Sequence, residues 1–550
     1  MTFTDSSPRN DDEYVRTVSA ISAAIARGDL RRAYEVADWA IGRGMKGRVI
    51  YNARALALQA SGRIDEAILD FRHALEFAPN DPAIHNALGT SLSSQGRWLK
   101  AIEAFDASLA LKNDDPIVHY RRGRALVGVD DNKGAMAAFE RAVELNPKHV
   151  DALSNIASIA ARSGDYEKAS LFANRTLALA PADATAHHAL SLVEMHDKKY
   201  ADVEQRMRYL TLHHDVDPNT RGGMHSLLGD AVEAQGRHGE AFEIYTRGND
   251  SLKSNNARRF EAGTGIDTIS HITRYFEATS VERWKQPAPG GKPPGDVPDQ
   301  HVFLLGFMRS GTTLLEQVMA SNPKVVALEE VGSLSPLSEK YMRSNDGLDQ
   351  LRDIAGADLD AARQTYWDRV REHAPDVRGK VLVDKQPFNT VRIPLIAKLF
   401  PDAKILFAIR DPRDVVFSCY RRPFAVNTTM VEFLDLVDGA KMYASIMALS
   451  EIYREKLTLN IFDHYYEDMV TNFEPRVRAV CDFVGLEWSD SMRDFNKRAS
   501  VASIDSPSAT QIRRPLYGEG IGQWRKYAEQ LQPMMPVLRP WVERFGYSAE

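Results

Sequence analysis

The sequence predicts an α + α/β chain: an all-α solenoid of helix pairs over residues 1–285, a Pro/Gly connection over 286–299, and an α/β domain with a central parallel sheet over 300–550. Three observations predict it. The first half repeats about every 34 residues. The stretch "QPAPGGKPPGDVPD" then interrupts all apolar periodicity. Beyond it, short β-branched runs alternate with helix-like segments, the pattern of a parallel sheet with helices on its faces.

The repeat is read from aligned columns. Gly62, Gly96, Asp130 and Gly164 share one column, and Ala67, Ala101, Ala135 and Ala169 share the next. Phe71, Phe105 and Phe139 follow, and Pro79, Pro147 and Pro181 close their units. The register extends back to Gly28 and Ala33, weakens at Lys198, and returns at Gly236 and Ala241, giving about seven helix pairs. Glycine ends a first helix, alanine lets two helices cross closely, and the aromatic fills the gap between neighbours. The pattern resembles the tetratricopeptide repeat, in which hairpins too small to bury their own apolar faces stack into a solenoid. "FEAGTGIDTISHITRYFEATS" reads as further helix, assignable to either half.

Composition excludes several classes. A net charge of −6 gives no reason to expect nucleic acid as the main partner. Cys419 and Cys481 are far apart and outside any C-x-x-C spacing, which argues for a reducing compartment. The polar, acidic start "MTFTDSSPRNDDEYVRT" lacks the pattern of a secretory signal, and no run reaches the ~18–20 apolar residues of a membrane span. The expected address is therefore cytoplasmic. His187–His188 and His213–His214 are adjacent pairs whose side chains diverge on a helix, and H-E-x-x-H is missing, so no metal is expected.

The runs "HVFLLGF", "KVLVDK", "AKILFAIRD" and "LNIFDHYYED" read as strands. The first leads into "FLLGFMRSGTTLLEQ", a glycine turn with small hydroxyl residues before a helix. Such a turn offers backbone N–H groups and a helix N-terminus to an anion. Ser310, Gly311, Thr312 and Thr313 form it, and Arg309 adds a guanidinium able to fork onto two oxygens. Thr312 stands where a nucleotide-hydrolysing P-loop carries lysine. A second anion site is expected in "ILFAIRDPRDVVFSCYRR", from Arg410 at a strand end, Ser418 about two helical turns on, and Arg422. An Arg–Asp network through Asp411 and Asp414 is the plainer alternative.

"RSGTTLLEQVMASNP" and "RDPRDVVFSCY" together resemble the two nucleotide-binding signatures of sulfotransferases. The resemblance implies a P-loop-like fold and 3′-phosphoadenosine 5′-phosphosulfate as co-substrate. Its phosphosulfate would lie on the first loop and its 3′-phosphate on Arg410 and Ser418. Such a donor has no β,γ-phosphates for a lysine and magnesium to grip. "NPKVVALEEVGSL", "LVDKQPFN", "HYYEDMV" and "SPSATQIRRPLYGEGIGQW" are similar to segments of the tyrosylprotein branch. That likeness implies Glu330 as base, with Glu329 the other candidate, and Lys385, Arg309 and Ser508 as catalytic partners. It implies donor contacts from Tyr466, Gln511, Arg514 and Tyr517. Chemically, a carboxylate can take an acceptor's proton, and positive charge can stabilise the leaving oxygen. Val331 and Gly332 stand where that branch has Thr-Arg after its acidic pair, and Gln523 replaces a basic residue before Trp524, so recognition of acidic peptides is not carried over. The expected activity is sulfuryl transfer to a hydroxyl of a peptide, glycan or metabolite, the repeats presenting acceptor or partner. The alternatives are an adaptor solenoid with an inactive nucleotide domain, or a divergent P-loop phosphoryl-transfer enzyme.

Overall fold

The computed structural model describes residues 8–129, 131–212, 216, 218–260, 263–285, 297–422, 426–501, 516 and 518–548. Contacts divide the chain into two compact units, Met1–Asp197 and Lys198–Glu550. The helices between Lys198 and Lys285 thus cluster with the sheet, ahead of the 286–299 stretch where the composition shift falls.

The first unit holds eleven helices among the described residues, paired in antiparallel hairpins such as Arg48–Ala60 with Ile64–Phe77 and Pro82–Ser94 with Trp98–Leu111. The repeated columns acquire physical roles. Gly62, Gly96 and Gly164 take left-handed φ values of 80°, 69° and 82° in the turns within hairpins. Asp81 and Asp115 cap the next helices by accepting backbone N–H bonds, with proline at each first position. Phe71, Phe105 and Phe139 are buried, and a Cβ on Gly89 would fall 2.6 Å from the Phe105 ring. The aromatic and the missing side chain opposite it are one packing device.

The second unit is built on five strands: β1 Gln300–Gly306, β2 Val325–Glu329, β3 Val381–Lys385, β4 Lys404–Ile409 and β5 Asn460–Tyr465. They run parallel in the order β2-β3-β1-β4-β5. β1, β3 and β4 are buried almost throughout, matching their continuous apolar runs. β2 has no counterpart among the four sequence-read strands. It is a five-residue edge strand, mostly half-buried, too short to carry a period of its own. The helical segment of open allegiance forms Gly265–Ala278, and it packs on the helix Leu436–Lys456, where Phe276 meets Tyr453 edge-on at 5.0 Å. Among the described residues, no helix is long and apolar enough to cross a membrane.

Candidate active site

Parallel strands bring all their carboxyl ends to one edge, and each of the five strands here delivers a candidate residue there. β1 runs into Arg309, β2 ends in Glu329 with Glu330 next, and β3 ends in Lys385. β4 precedes Arg410, and β5 precedes Tyr466. Two of the three non-glycine residues with positive φ among those described are in this set, Arg309 at 65° and Glu330 at 52°. Backbone strain of that kind gathers where side chains must be aimed.

On one side of the edge the two arginine motifs meet. Arg309 Nε donates to Ser418 Oγ at 2.9 Å, so the loop after β1 touches the helix Pro412–Tyr420 directly. Arg410 Nη1 donates to the Arg309 carbonyl at 2.9 Å, and its guanidinium lies 4.7 Å from the centroid of the Tyr466 ring. Tyr466 also covers Gly311, whose φ is 88° and where a Cβ would come within 2.5 Å of the ring. Burial, and then the charge of Arg422, pushes the Arg309 guanidinium down to about 10. It stays charged at neutral pH, but in a crowded positive field that an anion would relieve. Arg410 Nε is buried with no hydrogen-bond partner among the described residues, a further donor suited to an anion. Ser310, Thr312 and Thr313 are buried in the turn and the first turn of the helix Thr312–Ala320.

Arg422 stands near enough for its charge to act on Arg309, and it has a carboxylate partner as well. It pairs with Asp230 on the helix Pro218–Ala234, while Arg421 pairs with Glu233 at 2.8 Å. The plainer Arg–Asp network exists beside it: Arg413 forks onto Asp411 at 2.9 and 2.8 Å, and Arg410 Nη2 lies 3.9 Å from Asp414. Asp414 also accepts from the backbone N–H groups of Gly522 and Trp524 at 2.7 and 2.8 Å, tying the 522–524 segment to the site helix.

On the other side, Lys385 is fully buried, its ammonium surrounded by three carboxylates. Nζ lies 2.9 Å from Glu330, 3.3 Å from Glu316 and 3.4 Å from Glu329. Burial alone would lower the lysine, but the carboxylates outweigh it and hold it above its ordinary value. The Glu330 side chain is 49% exposed and that of Glu316 only 2%, so the two face opposite environments. Burial raises Glu316 to about 7 against the pull of Lys385. The Glu330 N–H donates to the Lys385 carbonyl at 2.9 Å, which fixes the bend after β2.

Sequence reasoning missed Glu316 and the acidic partners Asp230 and Glu233. Glu316 had one signal, a lone carboxylate inside the apolar run "TTLLEQVMA", whose helix is buried nearly all round. Ser508, Gln511, Arg514 and Tyr517 lie outside the described residues. Among the described residues, no three His, Cys, Asp or Glu side chains are placed to hold a metal.

Comparison with known proteins finds two different likenesses along the chain. Residues 301–490 match the model described as "Sulfotransferase family", and residues 52–116 and 120–184 match "Tetratricopeptide repeat". An uncharacterized protein of Aquifex aeolicus is 26% identical over 75% of this chain and 53% of its own length. Protein-tyrosine sulfotransferase 2 of Gallus gallus is 28% identical, and protein-tyrosine sulfotransferase 1 of Danio rerio 26%. Each aligns with 45% of this chain, over 69% and 72% of its own length. The chain thus spans about half of the Aquifex relative. A crystal structure of a tetratricopeptide repeat protein from Parabacteroides merdae matches at 17% identity, covering 44% of this chain and 93% of that one, with a TM-score of 0.35. Tetratricopeptide repeats and a sulfotransferase-family segment are therefore joined in one chain.

Proposed function

We propose that this chain moves a sulfuryl group from 3′-phosphoadenosine 5′-phosphosulfate to a hydroxyl acceptor, a peptide tyrosine, a glycan or a smaller metabolite. The observation that carries the reading is the Arg309–Ser418 bond, which joins two anion motifs 109 residues apart into one positive lining. The donor, when bound, supplies a sulfuryl group activated by a phosphate leaving group. Arg309, the 310–313 turn, Arg410 and Ser418 would hold its phosphates, and Tyr466 would lie against its base. Ser508, Gln511, Arg514 and Tyr517 remain part of the proposed donor site.

Glu330 takes the acceptor's hydroxyl proton as the new O–S bond forms, and the electron pair of the breaking S–O bond goes to the phosphate oxygen. Lys385 donates a hydrogen bond to that oxygen and keeps its own proton, with Arg309 adding charge. Glu330 suits the base role better than Glu329 because its side chain is the more exposed and reaches Lys385 more closely. The relatives named for tyrosine sulfotransfer support a protein acceptor, and the repeats would present it or a partner. A reducing, cytoplasmic setting fits Cys419 and Cys481, both buried and unbridged.

Calorimetry tests the reading. Adenosine 3′,5′-bisphosphate is expected to bind tightly and ATP-magnesium weakly, and Glu330→Gln to lower turnover by about 100-fold or more while bisphosphate affinity stays within a few-fold. A preference for ATP-magnesium would favour phosphoryl transfer instead.

A further inference from the structure

We propose that Glu316 is a positioning residue for sulfuryl transfer: its carboxylate anchors the Lys385 ammonium while Glu330 leaves that ammonium to take the acceptor's proton. The inference rests on the transfer reading above and assigns a role within the same site.

An ammonium has three N–H donors, and here three carboxylates surround it within 3.4 Å. Two things must change during transfer. One N–H must turn to the leaving phosphate oxygen, and the base must give up its bond to lysine before it can accept a proton. Glu330, half-exposed at the end of β2, can swing off the ammonium, and its departure frees the N–H that turns. Glu316 cannot leave. It sits on the helix Thr312–Ala320 between buried Leu315 and Val318, against the ends of β2 and β3. Its Oε2 is 3.3 Å from Nζ, close enough to hold the ammonium by charge whichever way the N–H groups turn. A fixed counter-ion of this kind keeps a buried lysine charged after its exposed partner departs.

The charged groups facing Glu316 are Lys385 on β3 and Glu329 and Glu330 at the end of β2. Arg498, on the helix packed against the same face, bonds Gln317 instead. Because the fixed counter-ion must be an anion, and burial raises it to about 7, transfer gains rate as pH rises through that range. No proton passes through Glu316 during turnover. Its ionisation is set beforehand, and the acceptor's proton goes to Glu330.

The test uses the full chain with N-acetyltyrosinamide as probe acceptor, whose phenol keeps its proton up to about pH 10, and radiolabelled 3′-phosphoadenosine 5′-phosphosulfate as donor. Glu316→Gln keeps the shape and removes the charge. Its single-turnover rate at pH 8 should fall by about 100-fold, the effect of a displaced catalytic group. The residual rate should match the low-pH limit of the unaltered protein and lack its rise near pH 7. Adenosine 3′,5′-bisphosphate affinity should stay within about threefold, since the arginine side is untouched. Infrared spectra of the unaltered protein should show a protonated-carboxyl band lost near pH 7 and missing in Glu316→Gln. A variant with the original rate and pH profile would overturn the proposal. So would a band near pH 7 of undiminished size in the variant, beyond the one expected in both proteins from Asp384, which burial raises to about 6. If Glu316→Gln does not fold, Glu316→Asp decides the matter: its shorter side chain draws the carboxylate back from Nζ, and an unchanged rate and pH profile would overturn the proposal. Failure of the unaltered protein to bind the bisphosphate would overturn the donor reading, a result distinct from either.

Discussion

Replacing Lys385 with methionine removes the cation that three carboxylates surround and leaves the stem volume nearly unchanged. Glu316, 2% exposed, then has no counter-charge. Breaking a buried pair by deleting one partner costs about 3–5 kcal/mol, and that is the loss expected at pH 8. The loss should depend on pH, with a definite sign. A carboxyl raised by folding contributes stability at low pH and loses it as pH rises through its folded value. In the unaltered protein that value is about 7, so the decline ends near pH 7. Without Lys385 burial acts unopposed, the proton is held throughout pH 5.5–8, and the decline continues for at least one more pH unit, about 1.4 kcal/mol. The lysine itself titrates above this window and contributes a constant. Urea unfolding followed by tryptophan fluorescence at pH 5.5 and 8.0 measures both losses. Five of the seven tryptophans lie beyond Asp197, so the signal reports mainly the sheet-bearing unit. Adding Glu316→Gln to Lys385→Met should recover much of the loss at pH 8. An equal loss at the two pH values, or one below about 1 kcal/mol, would refute the assignment of Lys385 as the cluster's counter-ion.

Two further substitutions probe the arginine side. Arg309→Lys keeps the charge but removes the Nε donor to Ser418, and loss of a charge-assisted hydrogen bond worth about 1.5–3 kcal/mol should weaken bisphosphate binding by roughly 10–100-fold in calorimetry. Gly311→Ala places a Cβ 2.5 Å from the Tyr466 ring at a φ of 88°, so thermal unfolding should show a destabilisation on the order of 1–3 kcal/mol. An unchanged melting temperature would mean that Tyr466 does not pack over this loop.

The repeat columns and the strand ends were legible because each follows from a local rule. A glycine at a turn, an aromatic opposite a residue without a side chain, and a polar residue after an apolar run all keep their spacing in the sequence. β2 was not, because five half-buried residues at a sheet edge have neither the length nor the alternation that marks a strand. The ion pair of Arg422 was not legible for another reason. Its partner Asp230 lies 192 residues away, and a guanidinium follows the nearest buried carboxylate whatever motif it stands in.

Glu316 marks where such reading stops. In the sequence it is one acidic residue on a short helix, of the kind that usually faces water. Its meaning comes from β3, which reaches the same edge only because β1 pairs with β3 on one side and β4 on the other. That pairing sets Leu304 and Glu329 beside Lys385 in register, and the helix after β1 then brings Glu316 to the same ammonium. A carboxylate buried there is tolerable only with the lysine, and the lysine only with the carboxylate. The charge balance of the proposed base would then depend on a buried residue one element away, so substitutions at Glu316 and Glu330 should be strongly non-additive in turnover while remaining additive in donor affinity.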